Sequence, residues 1–248
     1  MVTFSLKDDK GLIRESIINA GKIAKNYFKT NFKKWEKSPN NPVTEADYEV
    51  NKYLLNNLGN KRINYGWLSE ESEERPERLN KNYVWIIDPI DGTKAFIDKK
   101  PEFTISIALV HMSKPLIGAI YNPITEELFE ATKGEGAYLN EKKIFVSSNK
   151  DINKSHFLSN SSLFRSKKIS ESINFSFVNS IAYRMALVAK GDYDATVTLS
   201  NKSDWDIAAG DLLVSEAGGV VTSKYGKILR YNKRDILHPN LIVANKHI

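Results

Sequence analysis

The segment at residues 84–94, VWIIDPIDGTK, places the strongest constraint on how the chain folds. Residues 84–87 form an apolar run of β-branched and aromatic side chains, which predicts a short buried strand. Asp88 follows this strand, and Pro89 then removes a backbone donor, so we expect ladder pairing to stop there. The turn returns Asp91 to the same point, which brings two carboxylates side by side.

This pair of neighbouring carboxylates predicts a cation site. Two such charges a few ångströms apart repel by about 4 kcal/mol at an effective dielectric of ~20, and one of them would take up a proton if nothing else were present. A divalent cation removes this conflict, and carboxylate oxygens suit Mg²⁺. Gly92 lets the backbone approach a ligand, and Thr93 adds a hydroxyl. Because the same residue types form ordinary polar turns, the segment by itself leaves a magnesium site and a simple turn equally open.

Asp47 and Glu70 are further acids at the ends of predicted elements. Thr44 and Asp47 match the capping box of a helix, and this structural role explains Asp47 without any chemistry. Glu70 follows a predicted strand at residues 65–68, so it belongs either to a solvated acidic loop or to the same cation site as Asp88. Since the pattern of a strand followed by an acid recurs at Asp88, we favour the cation site for Glu70.

Asp206 lies in the first turn of another predicted helix, where the helix dipole favours an acid whatever its function. We expect Ser203 or Asp204 to cap this helix, which leaves Asp206 spare. The four His residues share no spacing, and no Gly-x-Ser-x-Gly or Walker-type loop is present. The sequence therefore directs attention to carboxylates rather than to a histidine or serine centre.

The hydrophobic periodicity predicts an antiparallel α+β half at residues 1–148, followed by a smaller α/β half at residues 149–248. Helices are expected at residues 6–30, 43–58, 181–190 and 205–217. Strands are expected at residues 65–68, 84–87, 103–110, 116–121, 128–131, 144–147, 156–159, 175–178, 195–199, 220–222 and 241–244. The polar stretch at residues 36–42 is expected to be a loop because of its turn-forming residues.

Composition narrows the class of protein further. No apolar run approaches the ~18 residues of a membrane span, and the first ten residues lack the apolar core of a signal peptide. The absence of cysteine excludes disulfides and thiolate metal sites, so we expect a cytoplasmic protein. The net charge of +6 is spread over scattered basic residues rather than a basic arm, which favours a basic surface with a phosphate-binding cleft over nucleic-acid binding.

Four segments together resemble the inositol monophosphatase family, the lithium-sensitive, Mg²⁺-dependent phosphomonoesterases. The matching segments are residues 43–47 (VTEAD), 69–71 (SEE), 85–93 (WIIDPIDGT) and 205–210 (WDIAAG) followed by 216–219 (EAGG). They occur in the order and spacing of the family, and the resemblance covers nearly the whole chain. It implies a layered αβαβα sandwich of the inositol monophosphatase and fructose-1,6-bisphosphatase type, and a homodimer.

The resemblance also implies roles for the acids. The implied metal ligands, for two or three Mg²⁺ ions per site, are Glu70, Asp88, the backbone carbonyl of Ile90, Asp91 and Asp206. The implied catalytic residues are Asp47, Glu70 and Thr93. Of these, Thr93 is oriented by Asp47 and helps to deprotonate the attacking water, while the backbone N–H groups of Gly92 and Thr93 cradle the phosphate.

The substrate is less closely defined by the resemblance. Inositol phosphatases of the family hold the sugar ring with a Glu before the Trp-Asp motif, and this chain has no Glu between Gly191 and Asp206. Lys94 follows the Gly-Thr pair, as in the 3′(2′),5′-bisphosphate nucleotidase branch, and is placed to meet a second phosphate. The implied substrate-binding residues are Gly92, Thr93, Lys94, Ser180, Ile181 and Asp206. We therefore expect hydrolysis of adenosine 3′,5′-bisphosphate to AMP and phosphate, with inositol 1-phosphate hydrolysis and a non-enzymatic, RNA- or transcription-associated role as alternatives.

Overall fold

Five α-helices form in the part of the chain that the computed structural model describes, which is residues 5–159 and 174–248. They are α1 (Leu6–Phe28), α2 (Glu45–Leu54), α3 (Thr93–Ile97), α4 (Ile181–Lys190) and α5 (Asp204–Glu216). A π-turn at Leu55–Gly59 extends α2, so helical structure reaches Leu58 as the periodicity predicts. In these ranges no helix combines the length and the apolar character that crossing a membrane requires.

The same described residues also form the β-strands, which are interspersed with the helices along the chain. In chain order they are β1 (Lys34–Ser38), β2 (Asn41–Thr44), β3 (Gly66–Ser69), β4 (Tyr83–Asp91), β5 (Thr104–His111), β6 (Lys114–Asn122), β7 (Glu127–Thr132), β8 (Gly136–Leu139), β9 (Lys142–Ile144), β10 (His156–Ser159), β11 (Asn174–Phe177), β12 (Ala195–Val197), β13 (Lys202–Ser203), β14 (Gly219–Ser223), β15 (Leu237–His238) and β16 (Leu241–Asn245).

Two sheets organise these strands. The larger runs β3-β4-β5-β6-β7-β8-β9, with β3 parallel to β4 and every other pair antiparallel. The smaller runs β11-β10-β12-β16-β14 and is mixed, because β10 is parallel to β11 and β12 whereas β16 is antiparallel to β12 and β14. The pairs β1-β2 and β13-β15 form separate short ribbons.

The elements stack in layers. Helices α1 and α2 cover one face of the seven-stranded sheet, and α4 and α5 lie between its other face and the five-stranded sheet. Ile13, Ile17 and Ala20 form the buried face of α1. Helix α5 approaches β6 so closely that a Cβ added at Gly118 would lie 3.0 Å from the carbonyl oxygen of Ala209. The predicted α+β sandwich is confirmed, and the described residues supply its first four layers.

The apolar core does not separate at the predicted boundary between residues 148 and 149. One cluster of buried side chains contains Ile86 and Ile120 from the first half together with Met185 and Leu213 from the second. The two halves therefore share a core through the middle helical layer, and the division into halves at residues 1–148 and 149–248 stays a prediction.

The prediction of a loop at residues 36–42 is wrong, because β1 and β2 form an antiparallel hairpin there. Asn40 makes the tight turn with a left-handed φ of 62°, which Asn tolerates better than most residues. Every residue of β1 is exposed, so the strand lacks the alternation of apolar and polar residues by which strands are recognised.

Strand β4 also runs further than predicted. Its pairing with β5 skips from Asp88, opposite Ser106, to Asp91, opposite Thr104. The ladder is thus interrupted at Pro89, as expected, but it resumes at Asp91 as a bulge instead of ending. The strand predicted at residues 144–147 is displaced, since β9 ends at Ile144, and β8 was not predicted.

Candidate active site

The bulge in β4 positions Asp88 and Asp91 at the same end of the seven-stranded sheet. Asp88 is 1% exposed and accepts a hydrogen bond from the backbone N–H of Ile90 to its Oδ1, at 3.0 Å. Asp91 is 7% exposed. Its Oδ2 accepts hydrogen bonds from the Ser180 hydroxyl and from the Ala182 backbone N–H, each at 2.5 Å. The start of α4 therefore fixes Asp91 through one oxygen.

Asp206 reaches the same place from α5. It closes a capping box with Ser203, whose backbone N–H donates to Asp206 Oδ2 at 2.7 Å. The expectation that Asp206 is spare is therefore wrong, because the third residue of the helix completes the cap. This hydrogen bond uses one carboxylate oxygen, and it orients the carboxylate towards the acids of β4.

Asp88, Asp91 and Asp206 form a compact group of carboxylates. One oxygen from each lies within 4.8 Å of the others. Burial is the main cause of raised pKa values in all three, and the neighbouring acids add to the rise at Asp88 and Asp206. The pKa of Asp206 rises to about 7. A buried cluster with only oxygen donors fits a hard divalent cation such as Mg²⁺, since the cation offsets the repulsion that raises these pKa values.

Glu70 lies on the same cleft but is not part of this three-carboxylate group. Its Oε1 accepts from the Lys37 ammonium at 3.0 Å, and Lys37 also lies 2.5 Å from Glu71 Oε1. Burial lowers the pKa of Lys37, but the two carboxylates outweigh burial and raise it overall. Lys37 was not predicted, because the contact depends on the β1–β2 hairpin, which the sequence did not reveal.

Asp47 and Thr93 meet beside the acids. Asp47 Oδ2 accepts from the backbone N–H of Thr44 at 2.9 Å and from its hydroxyl at 2.6 Å, which confirms the predicted capping box. Asp47 Oδ1 lies 3.4 Å from the Thr93 hydroxyl, and that hydroxyl is 3.2 Å from the carbonyl oxygen of Ile90. Burial, opposed by the hydrogen bonds of Thr44, raises the pKa of Asp47 to about 7.

Gly92, between Asp91 and Thr93, adopts a φ of 96°, which a residue with a side chain rarely adopts. A Cβ at this position would also lie 3.0 Å from the carbonyl oxygen of Glu102. Glycine is therefore required both for the turn and for the close approach of the neighbouring chain.

The cleft in front of these residues has a volume of about 400 Å³. The predicted site residues that line it are Glu70, Asp88, Ile90, Asp91, Gly92, Thr93, Lys94 and Asp206. Ser180 and Ile181 are almost completely buried and do not line this cleft, because Ser180 caps α4 and Ile181 packs in the core. Asn179 and Lys202 line the cleft without having been predicted.

Comparison with known proteins gives concordant matches. The model of the inositol monophosphatase family matches residues 9–248. An inositol monophosphatase from Dictyostelium discoideum is 34% identical over 218 residues, covering 82% of this chain and 80% of that protein. The 3′(2′),5′-bisphosphate nucleotidase CysQ from Aggregatibacter actinomycetemcomitans is 30% identical over 228 residues, covering 84% and 82%. The crystal structure of the extragenic suppressor protein suhB from Bartonella henselae matches with a TM-score of 0.87 and 31% identity, covering 97% of this chain and 95% of that one.

Proposed function

Because the chain belongs to the inositol monophosphatase family of phosphatases, we propose that it is a Mg²⁺-dependent phosphomonoesterase whose preferred substrate is a bisphosphate nucleotide. The observation that carries the proposal is the group formed by Asp88, Asp91 and Asp206, whose oxygens lie within 4.8 Å of one another on the cleft. Such a group is costly to bury without a cation, and phosphoryl transfer depends mainly on charge neutralisation and positioning.

Four carboxylates and one backbone carbonyl bind the cations in this proposal. The proposed ligands are Glu70, Asp88, the carbonyl of Ile90, Asp91 and Asp206. When bound, Mg²⁺ supplies neutralisation of the phosphoryl charge and a lowered pKa for the attacking water. Lys37 contacts Glu70 through Oε1 at 3.0 Å, so Oε2 is the oxygen that Glu70 would offer to a cation.

Thr93 and Asp47 handle the proton of the attacking water in this proposal. The single proton of the Thr93 hydroxyl has two acceptors within reach, Asp47 Oδ1 at 3.4 Å and the carbonyl oxygen of Ile90 at 3.2 Å. When this proton is donated to Asp47, the lone pairs of the hydroxyl are left to accept the proton of a water in the cleft. Asp47 is in turn held by Thr44 through its other oxygen, which fixes the orientation of the Thr93–Asp47 pair. General acid–base assistance of this kind contributes about 10²–10⁴-fold to rate.

Lys94 supports a doubly phosphorylated substrate. It directly follows the proposed phosphate cradle at Gly92 and Thr93, and it lines the same cleft. The similarity to the nucleotidase CysQ also supports this choice. The similarity to an inositol monophosphatase makes inositol 1-phosphate the second candidate substrate.

A phosphate-release screen tests the proposal. Adenosine 3′,5′-bisphosphate, inositol 1-phosphate and sugar phosphates would be compared by kcat/KM with Mg²⁺ and with EDTA. We expect Mg²⁺-dependent release with the bisphosphate nucleotide ahead of the others. If inositol 1-phosphate leads, the nucleotidase assignment is wrong although the phosphatase assignment stands. If no phosphate ester is hydrolysed with Mg²⁺, the phosphatase assignment fails as well.

A further inference from the structure

We propose that Lys202 and Lys94 together form a second anion-binding subsite, which takes a second phosphate group carried by the leaving group of the substrate. The proposal rests on the proposed phosphatase function and adds Lys202, a residue from the other half of the chain. Both lysines line the cleft that contains the acids. Lys94 stands in the first turn of α3, and Lys202 stands in β13 just before α5.

The backbone of Lys202 is held firmly in place. Lys202 pairs with His238 across the β13–β15 ribbon, and the next residue, Ser203, is the N-cap of α5. His238 is itself fixed by a hydrogen bond between its Nε2 and Asp204 Oδ1 at 2.6 Å, where both side chains are buried. The Cα of Lys202 therefore has a fixed position at the cleft, and its ammonium can move only by rotation of the side chain.

The ammonium groups of Lys202 and Lys94 are available to bind an anion. Within residues 5–159 and 174–248, neither ammonium has an ion-pair partner within 4.0 Å. Lys37, the other lysine near the acids, differs because it is engaged by Glu70 and Glu71. Lys202 and Lys94 thus remain as positive charges on the cleft that form no direct ion pair with the described residues.

The position of Lys202 relative to the acids favours a second anion over the reacting phosphate itself. Lys202 lines the same cleft as Asp91 and Asp206, so an anion that its ammonium binds lies beside the proposed metal ligands. Cations held by these acids would offset their negative charge and so weaken their attraction for the ammonium of Lys202.

The ligand that fits these observations is a phosphate monoester with a second phosphate on the same small molecule. A lysine is a compact charge on a long flexible stem, and it can meet a phosphate at a variable distance. Two lysines on different segments can hold that phosphate from two directions. The cleft volume of about 400 Å³ lies in the range of ligand pockets, so it admits more than one phosphate group.

Matched substrate pairs test the proposal. The first pair is adenosine 3′,5′-bisphosphate and adenosine 3′-monophosphate, and the second is fructose 1,6-bisphosphate and fructose 1-phosphate. With saturating Mg²⁺, Lys202→Met is expected to lower kcat/KM for the better bisphosphate by about 10- to 100-fold, the value of a charge-assisted contact. The corresponding monophosphate should lose much less. Lys202→Arg, which keeps the charge, is expected to retain most of the preference.

Lys227→Met is the matched control, because Lys227 is exposed and lies outside the cleft. A binding measurement accompanies the kinetics. Adenosine 5′-monophosphate, the product that keeps the second phosphate, is titrated into wild type, Lys202→Met and Lys227→Met by calorimetry. Only Lys202→Met is expected to bind it more weakly. Thermal unfolding and Mg²⁺ titration of each variant separate substrate effects from changes in fold or metal affinity.

The outcomes distinguish this inference from the proposed function. If monoesters are hydrolysed but Lys202→Met leaves the bisphosphate-to-monophosphate ratio unchanged, the subsite is wrong and the phosphatase assignment stands. An equal loss on both members of a pair also overturns the subsite, because it indicates general attraction or altered metal binding. If wild type hydrolyses no phosphate ester at all, the proposed function itself has failed.

Discussion

Three acids at the site combine a structural hydrogen bond at one carboxylate oxygen with a second oxygen left for chemistry. Asp47 and Asp206 close capping boxes through Oδ2, and Asp91 is held through Oδ2 by Ser180 and Ala182. One oxygen fixes each carboxylate, so little reorganisation is needed when the other oxygen of Asp91 or Asp206 binds a cation, or when that of Asp47 contacts Thr93. A position that reads as an ordinary helix cap is therefore compatible with a functional role.

Asp88→Asn tests the proposed metal site. Asp88 is central to the carboxylate group, so its loss should lower Mg²⁺ affinity and reduce kcat/KM by at least about a hundredfold, the upper range for outer ligand partners alone. Calorimetric Mg²⁺ titration and phosphate release measure the two effects. Asp8→Asn, an exposed change in the first turn of α1, is the control. Near-wild-type turnover of Asp88→Asn would mean that the ligands are wrongly assigned.

Thr93→Ala tests the proton-handling pair. The Thr93 hydroxyl is 3.4 Å from Asp47 Oδ1, and its removal is expected to lower kcat by about 10²–10⁴-fold. Mg²⁺ affinity should change little, because Thr93 is not a proposed ligand. Thr30→Ala on the exposed surface serves as the control. A variant that loses mainly Mg²⁺ binding would instead place Thr93 among the metal ligands.

The sequence predicted individual acids better than it predicted lysines. Asp88 and Asp91 were paired because a single short turn joins them, whereas Asp206 was assigned to the same site only through the resemblance to the family. Lys37 and Lys202 were missed because their roles depend on contacts between distant segments. Lys37 meets Glu70 only after the β1–β2 hairpin folds over the acids, and no local pattern reports such a contact.

At the scale of whole elements, the N-termini of α4 and α5 position the residues of the site. Ser180 is the N-cap of α4. Its hydroxyl accepts a hydrogen bond from the Tyr183 backbone N–H at 2.9 Å and donates one to Asp91. Helix α5 begins at Ser203 and delivers Asp206. The cleft thus forms where two helices from the second half start against the end of β4 from the first.

Ser180→Ala tests this coupling between a helix cap and the site. The change removes the cap of α4 and one buried donor to Asp91, so we expect a loss of about 1–3 kcal/mol in unfolding free energy. Mg²⁺ affinity should fall as well, because Asp91 is less firmly oriented. Urea unfolding and calorimetry measure the two quantities. Ser215→Ala on the exposed side of α5 is the control, and equal behaviour of both variants would contradict the coupling.

Most of the elements with a long buried face were predicted from the sequence, whereas the fully exposed strand β1 was not. Helix α1 and strands β5 and β6 show clear apolar periodicity, and all three form where expected. Strand β1 is exposed along its whole length, and its polar residues resemble a loop. Hydrophobic patterning reports burial, so it cannot detect a strand that buries nothing.

At the scale of the whole molecule, the site is a concentration of buried acid within a basic protein. The net charge is +6, whereas Asp88, Asp91 and Asp206 meet in the cleft. Basic surroundings favour the approach of an anionic substrate, and the acids favour cations. We therefore expect cations to bind before the substrate, since the bare acids would repel a phosphate group.

The same buried acids predict how the stability of the protein depends on pH and Mg²⁺. Burial raises the pKa of Asp47 and of Asp206 to about 7 and raises the pKa of Asp88 and Asp91 as well. Without cations, the folded chain therefore keeps protons that the unfolded chain has already released above about pH 4. Stability of the Mg²⁺-free protein should fall as the pH rises from about 4 to 7, because the unfolded state then binds fewer protons.

Thermal unfolding with EDTA and with Mg²⁺ at pH 5.5 and 7.5 checks this prediction. Added Mg²⁺ stabilises the fold by binding it preferentially, and the increase in Tm should be larger at pH 7.5, where the acids are ionised. A difference of about 2 kcal/mol corresponds to ~4–8 °C in a chain of this size. In EDTA at pH 7.5, Asp88→Asn should unfold at a higher temperature than wild type, because the substitution removes one of the repelling charges. Two results would contradict the prediction: an Mg²⁺-induced increase in Tm that is equal at both pH values, and an Asp88→Asn variant that is less stable than wild type in EDTA. Together they would show that repulsion between the buried carboxylates does not destabilise the fold and that the cluster needs no cation.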